Sequence, residues 1–277
     1  MAITAKINIP RISIIQNGDI FQLGRHRLMC GDSSNLHEFN SLIGKRKIKL
    51  VFAGPPYFNQ RKYSHWNTYE SYLLSMNAVI ENCVRFTSMP SIHAWQIGRG
   101  YSEHQDHASH MSVLLSKNGL NFQDSFAWIK PGANYSIKRS CHIRTNGIYY
   151  PAFQWETILV YRTSGNMPRM DLPEQDYMAK HHTDVWPIHW VTHQMKRWGR
   201  PSVCPEEIPR RCIYAYTSKK DWMLDPFGGY GTTMITAERY GRNCLLMEKN
   251  PEYCKIIINR WIKEFNKTVK CIKNIYY

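Results

Sequence analysis

A chain of 277 residues, 43% of them hydrophobic, is long enough for one substantial α/β domain and ordinary for a soluble protein. Lys and Arg outnumber Asp and Glu by 36 to 21, a net charge of +15 that suits a phosphate-rich partner, although a Lys-rich, AT-rich genome would give the same balance. No apolar stretch reaches membrane-spanning length, no signal-peptide core opens the chain, and the eight scattered cysteines read as free thiols in a reducing, cytoplasmic setting rather than as disulfides or a zinc site.

In chain order, residues 1–16 form a polar–apolar arm that suits an edge strand. Residues 49–53 predict a buried strand that runs into the turn Gly54-Pro55-Pro56-Tyr57 and a loop over 59–67. Thr68 caps an amphipathic helix over 69–86, a buried strand follows over 92–97, and a helix over 107–118 is ended by Gly119. Residues 122–130 and 156–161 alternate like a pair of strands, while most of 131–204 fits no regular element. A helix over 206–216 then leads to a strand at 222–224, a glycine-rich turn over 225–233, and a helix from 233 to 240. A strand over 244–247 delivers Glu248, and an amphipathic helix over 251–267 closes the domain. There is no internal repeat and no low-complexity segment, so residues 1–277 read as a single domain.

The turn Asp225-Pro226-Phe227-Gly228-Gly229-Tyr230-Gly231-Thr232-Thr233 carries the most information. Its glycines let the backbone bend sharply and approach a ligand closely, and an acid at the end of the next strand suits a pair of ribose hydroxyls. The turn matches neither Gly-x-Gly-x-x-Gly nor a phosphate-binding loop ending in Gly-Lys-Ser/Thr, and holds no Lys or Arg. A nucleoside cofactor without phosphates fits, and S-adenosyl-L-methionine is one; a plain strand-to-helix turn would account for two of the glycines. Gly54-Pro55-Pro56-Tyr57 follows a strand that its prolines cannot continue. The result is a rigid turn with fixed carbonyls, able to hold an exocyclic amine while Tyr57 stacks on the attached base. An ordinary Pro-Pro loop with a half-buried tyrosine is the plainer alternative.

Together the two motifs resemble the DNA amino-methyltransferases that modify cytosine N4 or adenine N6. The Pro-Pro-Tyr motif precedes the glycine turn, which is the motif order of that family's beta group. Asp19 through Asp32, the segment Pro205-Glu206-Glu207-Ile208-Pro209 and the turn Asn250-Pro251-Glu252-Tyr253 extend the resemblance over residues 17–263. It implies a Rossmann-like class I α/β fold: a mostly parallel seven-stranded sheet with an antiparallel edge strand and a target-recognition insertion over 131–204. It also implies S-adenosyl-L-methionine held by Asp32, Glu207, Asp225, Phe227, Gly228, Gly229, Gly231, Thr232, Thr233, Glu248 and Asn250. Catalysis would fall to Gly54, Pro55, Pro56 and Tyr57 acting on a base flipped out of double-stranded DNA.

One position departs from the family. The first residue of the catalytic motif is normally Asp, Asn or Ser, whose side chain accepts a hydrogen bond from the target amine, and here it is Gly54. Losing such a bond costs on the order of 3 kcal/mol, roughly a hundredfold in rate. An enzyme is expected, and the alternative of another class is a degenerate protein that binds DNA and cofactor without transfer. The runs 55–66 and 148–151 look like the Ser-type members, which favours cytosine N4 over adenine N6. Carbon-5 chemistry would need a Pro-Cys nucleophile, which does not occur.

In the insertion, Lys138, Arg139, Arg144, Lys196, Arg197 and Arg200 lie among Tyr135, Tyr149, Tyr150, Trp186, Trp190 and Trp198. Basic residues interleaved with aromatics suit a DNA groove; a solvated loop with packing aromatics is the bland counterpart. His181, His182, His189 and His193 read as surface or DNA-facing histidines, not metal ligands. A homodimer and a separately acting cognate restriction endonuclease are compatible with this reading, as is a prokaryotic or viral source.

Overall fold

The computed structural model describes residues 14–59, 65–98, 105–132, 147, 154–189 and 203–276. The amino-terminal arm, part of the loop after the Pro-Pro-Tyr turn, and Lys138, Arg139, Arg144, Lys196, Arg197 and Arg200 lie outside the described residues.

Ten strands form one sheet among the described residues. They are β1 (Asp19–Leu23), β2 (His26–Cys30), β3 (Ile48–Ala53), β4 (Thr87–Ile97), β5 (Asn121–Ile129), β6 (Trp155–Arg162), β7 (Val185–Pro187), β8 (Trp222–Asp225), β9 (Asn243–Glu248) and β10 (Val269–Asn274). Their spatial order is β10-β1-β2-β9-β8-β3-β4-β6-β5-β7. The five strands from β2 to β4 are parallel neighbours, and β6 runs antiparallel between β4 and β5. The expected seven strands form the centre. β1 and β10 extend one margin and β7 the other, so the antiparallel β6 sits inside the sheet, not at its edge.

Seven helices cover the two faces: α1 (Leu36–Ile43), α2 (Tyr69–Phe86), α3 (His107–Lys117), α4 (Leu172–Ala179), α5 (Glu207–Tyr216), α6 (Thr232–Arg239) and α7 (Pro251–Phe265), counted among the described residues. Alternation along β3 divides the core. Leu50 and Phe52 pack with residues of α5, α6 and α7, while Val51 and Ala53 pack with residues of α1, α2 and α3. Thr68 caps α2 as its sequence predicts, accepting the Ser71 N–H at 3.1 Å while the Ser71 hydroxyl faces back to Thr68.

Connections determine where a ligand can sit. From β3 the chain crosses through α2 to β4, whereas from β8 it crosses through α6 to β9, in the opposite direction along the sheet. β3 and β8 are adjacent and parallel, with Val51 opposite Leu224. The strand order therefore reverses between them, and a crevice opens at their carboxyl ends, where the Pro-Pro-Tyr and glycine turns begin.

Part of the 131–204 region joins this core. β7 pairs with β5, and Trp186, placed by sequence among the DNA-facing aromatics, is instead buried and stacked on Phe126 with ring centres 4.4 Å apart. Helix α4 docks through Glu174, whose carboxylate meets the buried Arg242 guanidinium at 2.7 Å. His181 stacks on Tyr177 at 4.4 Å, so it too has a packing role.

Candidate active site

The glycine turn is shaped from within by Asp225, the last residue of β8. Its carboxylate accepts the Phe227 N–H at 2.9 Å and the Thr233 hydroxyl at 2.6 Å, which closes the turn onto the first residues of α6. Burial pushes this carboxyl up to about 6, against the lowering effect of those two bonds. Gly228 lies so close to β9 that a Cβ there would stand 2.9 Å from Leu246 Cγ and 3.0 Å from the Met247 carbonyl oxygen. Gly229 and Gly231 have φ of +52° and +70°, backbone conformations that favour glycine.

Glu248 ends β9 and faces the turn. Its Oε2 accepts the Gly229 N–H at 2.8 Å, and its Oε1 accepts the Asn250 N–H at 2.8 Å. The Asn250 side chain in turn caps α7, accepting the Glu252 N–H at 2.9 Å. On the next strand, Asp32 ends the β2 segment and pairs with Lys249 at 2.6 Å. Burial alone would raise the Asp32 carboxyl, but the bonds from Lys249 and Ser34 bring it below its ordinary range.

These groups line one cavity of about 940 Å³ with Gly54, Pro55, Pro56 and Tyr57 on its opposite wall. Of the eleven cofactor residues expected from sequence, Asp32, Asp225, Phe227, Gly228, Gly229, Thr232, Thr233, Glu248 and Asn250 line it. Two do not. Gly231 instead starts α6, where a Cβ would meet Ile257 Cγ2 at 2.9 Å. Glu207 is engaged elsewhere: its Oε1 accepts Arg211 Nε–H at 3.0 Å and the Tyr177 hydroxyl, and Arg210 lies 3.6 Å from Oε2.

Several cavity residues escaped the sequence reading, among them Trp66, Gln96, Cys204, Tyr230, Lys249 and Tyr253. Gln96 and Cys204 belong to a network behind the Pro-Pro-Tyr turn. Gln96 Nε2 donates to Glu156 Oε2 at 2.8 Å, the Tyr57 hydroxyl donates to the same oxygen at 3.3 Å, and Lys130 pairs with Oε1. Burial first, then the Glu156 charge, pushes the Tyr57 hydroxyl well above the usual phenol range. Burial likewise pushes the Cys204 thiol up, so it stays protonated. Beneath the glycine turn, the buried Arg260 donates to the Tyr230 carbonyl at 3.2 Å and the Thr232 hydroxyl at 2.9 Å. No sequence motif marks these residues; only the register between distant strands and helices joins them.

The donors present fit an adenosine-type cofactor. Acids stand at the ends of two adjacent parallel strands, the glycine turn admits close approach, and Lys249, the one cation lining the cavity among the described residues besides the His65 ring, is neutralised by Asp32.

Comparisons with known proteins agree with this geometry. A DNA methylase family model of the N6/N4 type matches residues 48–259. The type II methyltransferase M2.DpnII of Streptococcus pneumoniae is 26% identical over 248 residues, covering 82% of this chain and 87% of its own. M2.LlaDCHI of Lactococcus lactis subsp. cremoris is 27% identical over 239 residues, covering 79% and 83%. Among solved structures, the PvuII cytosine-N4-specific DNA methyltransferase superposes with a TM-score of 0.67 at 20% identity, over 87% of this chain and 94% of its own. A DNA modification methylase of Thermus thermophilus, TTHA0409, complexed with S-adenosyl-L-methionine, does so with a TM-score of 0.65 at 21% identity, over 88% and 96%. The structural likenesses speak to the fold, and the family match spans most of the chain: it belongs to the N6/N4 family of DNA methylases, with S-adenosyl-L-methionine as methyl donor.

Proposed function

We propose that the chain methylates the exocyclic amine of a base in double-stranded DNA, cytosine N4 in preference to adenine N6. The observation that carries this reading is that the Pro-Pro-Tyr turn and the glycine turn, on neighbouring strands, face each other across one cavity. When bound there, S-adenosyl-L-methionine supplies an electrophilic methyl group.

The protein's own part is alignment. An amine inside the duplex is out of reach, so the base is extruded, at a cost of roughly a few kcal/mol. Tyr57 supports the flipped base by stacking, its ring held in place by the hydroxyl bond to Glu156. The Pro55 carbonyl accepts from the amine and turns the nitrogen lone pair toward the donor. Asp32 and Glu248 hold the nucleoside end of the cofactor, and Asp225 keeps the glycine turn closed beneath it. Because the Cys204 thiol stays protonated, the substrate nitrogen is the nucleophile. Lys138, Arg139, Arg144, Lys196, Arg197 and Arg200 supply phosphate contacts from the recognition region.

The preference for cytosine rests on the runs 55–66 and 148–151, which resemble Ser-type members. Incubating the protein with unmethylated DNA and labelled S-adenosyl-L-methionine, then identifying the modified nucleoside by mass spectrometry, tests the reading. N4-methylcytosine is expected. N6-methyladenine would reassign the base, and no transfer despite cofactor binding would favour a protein that only binds.

A further inference from the structure

Amine methylation, on which this inference rests, leaves one hydrogen-bond acceptor unaccounted for. Gly54 has no side chain, and a Cβ added there would meet nothing within 4 Å, so the space a family Asp or Ser would fill is open. The residue beside that space is Gln96. In the parallel ladder of β3 and β4, Ala53 is paired with Trp95, which makes Gly54 and Gln96 the next residues on two neighbouring strands. Ala53 and Trp95 are buried in one core layer and Ala94 in the other, so Gln96 turns to the side of Ala94, where a residue-54 side chain would stand. Gly54 and Gln96 line the same cavity, and Gln96 is only 9% exposed.

The orientation of its amide is settled by its neighbours. Glu156 is paired with Lys130, and a carboxylate accepts but does not donate. Gln96 must therefore turn Nε2 toward Glu156, at 2.8 Å, which aims Oε1 the other way. There it accepts from the Cys204 thiol at 3.1 Å, a weak donor that leaves the second lone pair of Oε1 for another hydrogen bond. We propose that Gln96 Oε1 is the side-chain acceptor for the target amine, replacing the one that Gly54 lacks. A neutral amide serves here where a second carboxylate beside Glu156 would be repelled.

The test compares wild type, Gln96→Met, Gly54→Ser and the double variant in methyl transfer to unmethylated DNA, with cofactor affinity measured by calorimetry. Gln96→Met should lose about a hundredfold in kcat, with KM for DNA and cofactor affinity unchanged. The double variant should recover most of that loss, which a merely structural role for Gln96 would not allow. Gln96→Leu replaces Gln96→Met if the latter fails to bind cofactor. Wild-type kcat in the variant, or no recovery in the double variant while Gly54→Ser alone is active, would overturn the proposal. A wild type that transfers nothing while Gly54→Ser transfers would also overturn it, yet leave the methylation reading standing. If neither transfers although both bind cofactor, the methylation reading fails and this inference with it.

Discussion

The Glu248 carboxylate bridges two backbone segments, accepting the Gly229 N–H through Oε2 and the Asn250 N–H through Oε1, each at 2.8 Å. The acid that sequence marks as a ribose ligand thus also fixes the glycine turn relative to the start of α7. Both bonds are charge-assisted, and both donors belong to turns whose shape the cofactor must read.

Glu248→Ala should therefore weaken S-adenosyl-L-methionine binding by more than a lost ligand contact. At least tenfold, about 1.4 kcal/mol, is expected from the ligand contact alone, and more from the loosened turn. Glu248→Gln should recover little, because its amide nitrogen must face one of two N–H donors. Calorimetric titration of the three proteins decides the point; equal affinities would exclude Glu248 from the cofactor site.

Gly228 and Gly54 make opposite predictions under one substitution. Alanine at 228 would place Cβ 2.9 Å from Leu246 Cγ and 3.0 Å from the Met247 carbonyl, while the Gly228 N–H is itself bonded to that carbonyl at 2.6 Å. The turn cannot withdraw without breaking the bond, so a destabilisation of about 1–3 kcal/mol and weaker cofactor binding are expected. Alanine at 54 meets nothing within 4 Å and should leave the melting temperature unchanged. Thermal unfolding of both variants, with and without cofactor, checks the contrast.

Local signals explain what the sequence made legible. The run into Gly54, the Thr68 cap and the glycine turn each lie within a dozen contiguous residues, where periodicity and turn chemistry act directly. Three-residue β7 and eight-residue α1 and α4 are too short for a periodic pattern to stand out. Side-chain networks were out of reach for another reason: Lys130, Glu156 and Gln96 come from three neighbouring chain segments, and only the β4–β6–β5 register brings them together. Glu207 looked like a cofactor residue because its local segment resembles the family. Arg211, on the next turn of the same helix, and Tyr177 from the insertion claim its carboxylate instead.

Arg260 supports the glycine turn from the α7 side. It is fully buried and donates to the Tyr230 carbonyl and the Thr232 hydroxyl, while Glu206 meets its guanidinium at 3.1 Å. Arg260→Met keeps much of the volume but leaves the Tyr230 carbonyl and Glu206 without this donor. Breaking a buried pair from one side costs about 3–5 kcal/mol, so a clear fall in melting temperature is expected. Cofactor affinity should fall as well, because the turn loses its support. A variant that melts earlier yet binds cofactor at wild-type strength would show that Arg260 acts on the fold alone.

His93 predicts how stability responds to acid. It lies on β4 between Val51 and Tyr161, and both ring nitrogens are buried without a hydrogen-bond partner. Burial lowers its pKa from 6.5 to about 3. Between those values the unfolded chain binds a proton that the folded chain excludes, so stability is full above 6.5 and is lost as pH falls toward 3. One such group gives a slope of at most about 1.4 kcal/mol per pH unit. His26 has the same sign: burial lowers it, and its Nδ1 accepts the Cys244 N–H at 3.0 Å, a bond that protonation would break. Asp225 has the opposite sign, since its raised carboxyl costs the folded state more as pH rises from 3.8 to about 6. The whole-protein curve mixes these terms, but comparing His93→Leu with the parent isolates one of them. Urea unfolding at pH 7 and pH 5 should show the variant losing less stability on acidification by about 1–2 kcal/mol, and identical pH dependence would mean that His93 takes up its proton without unfolding.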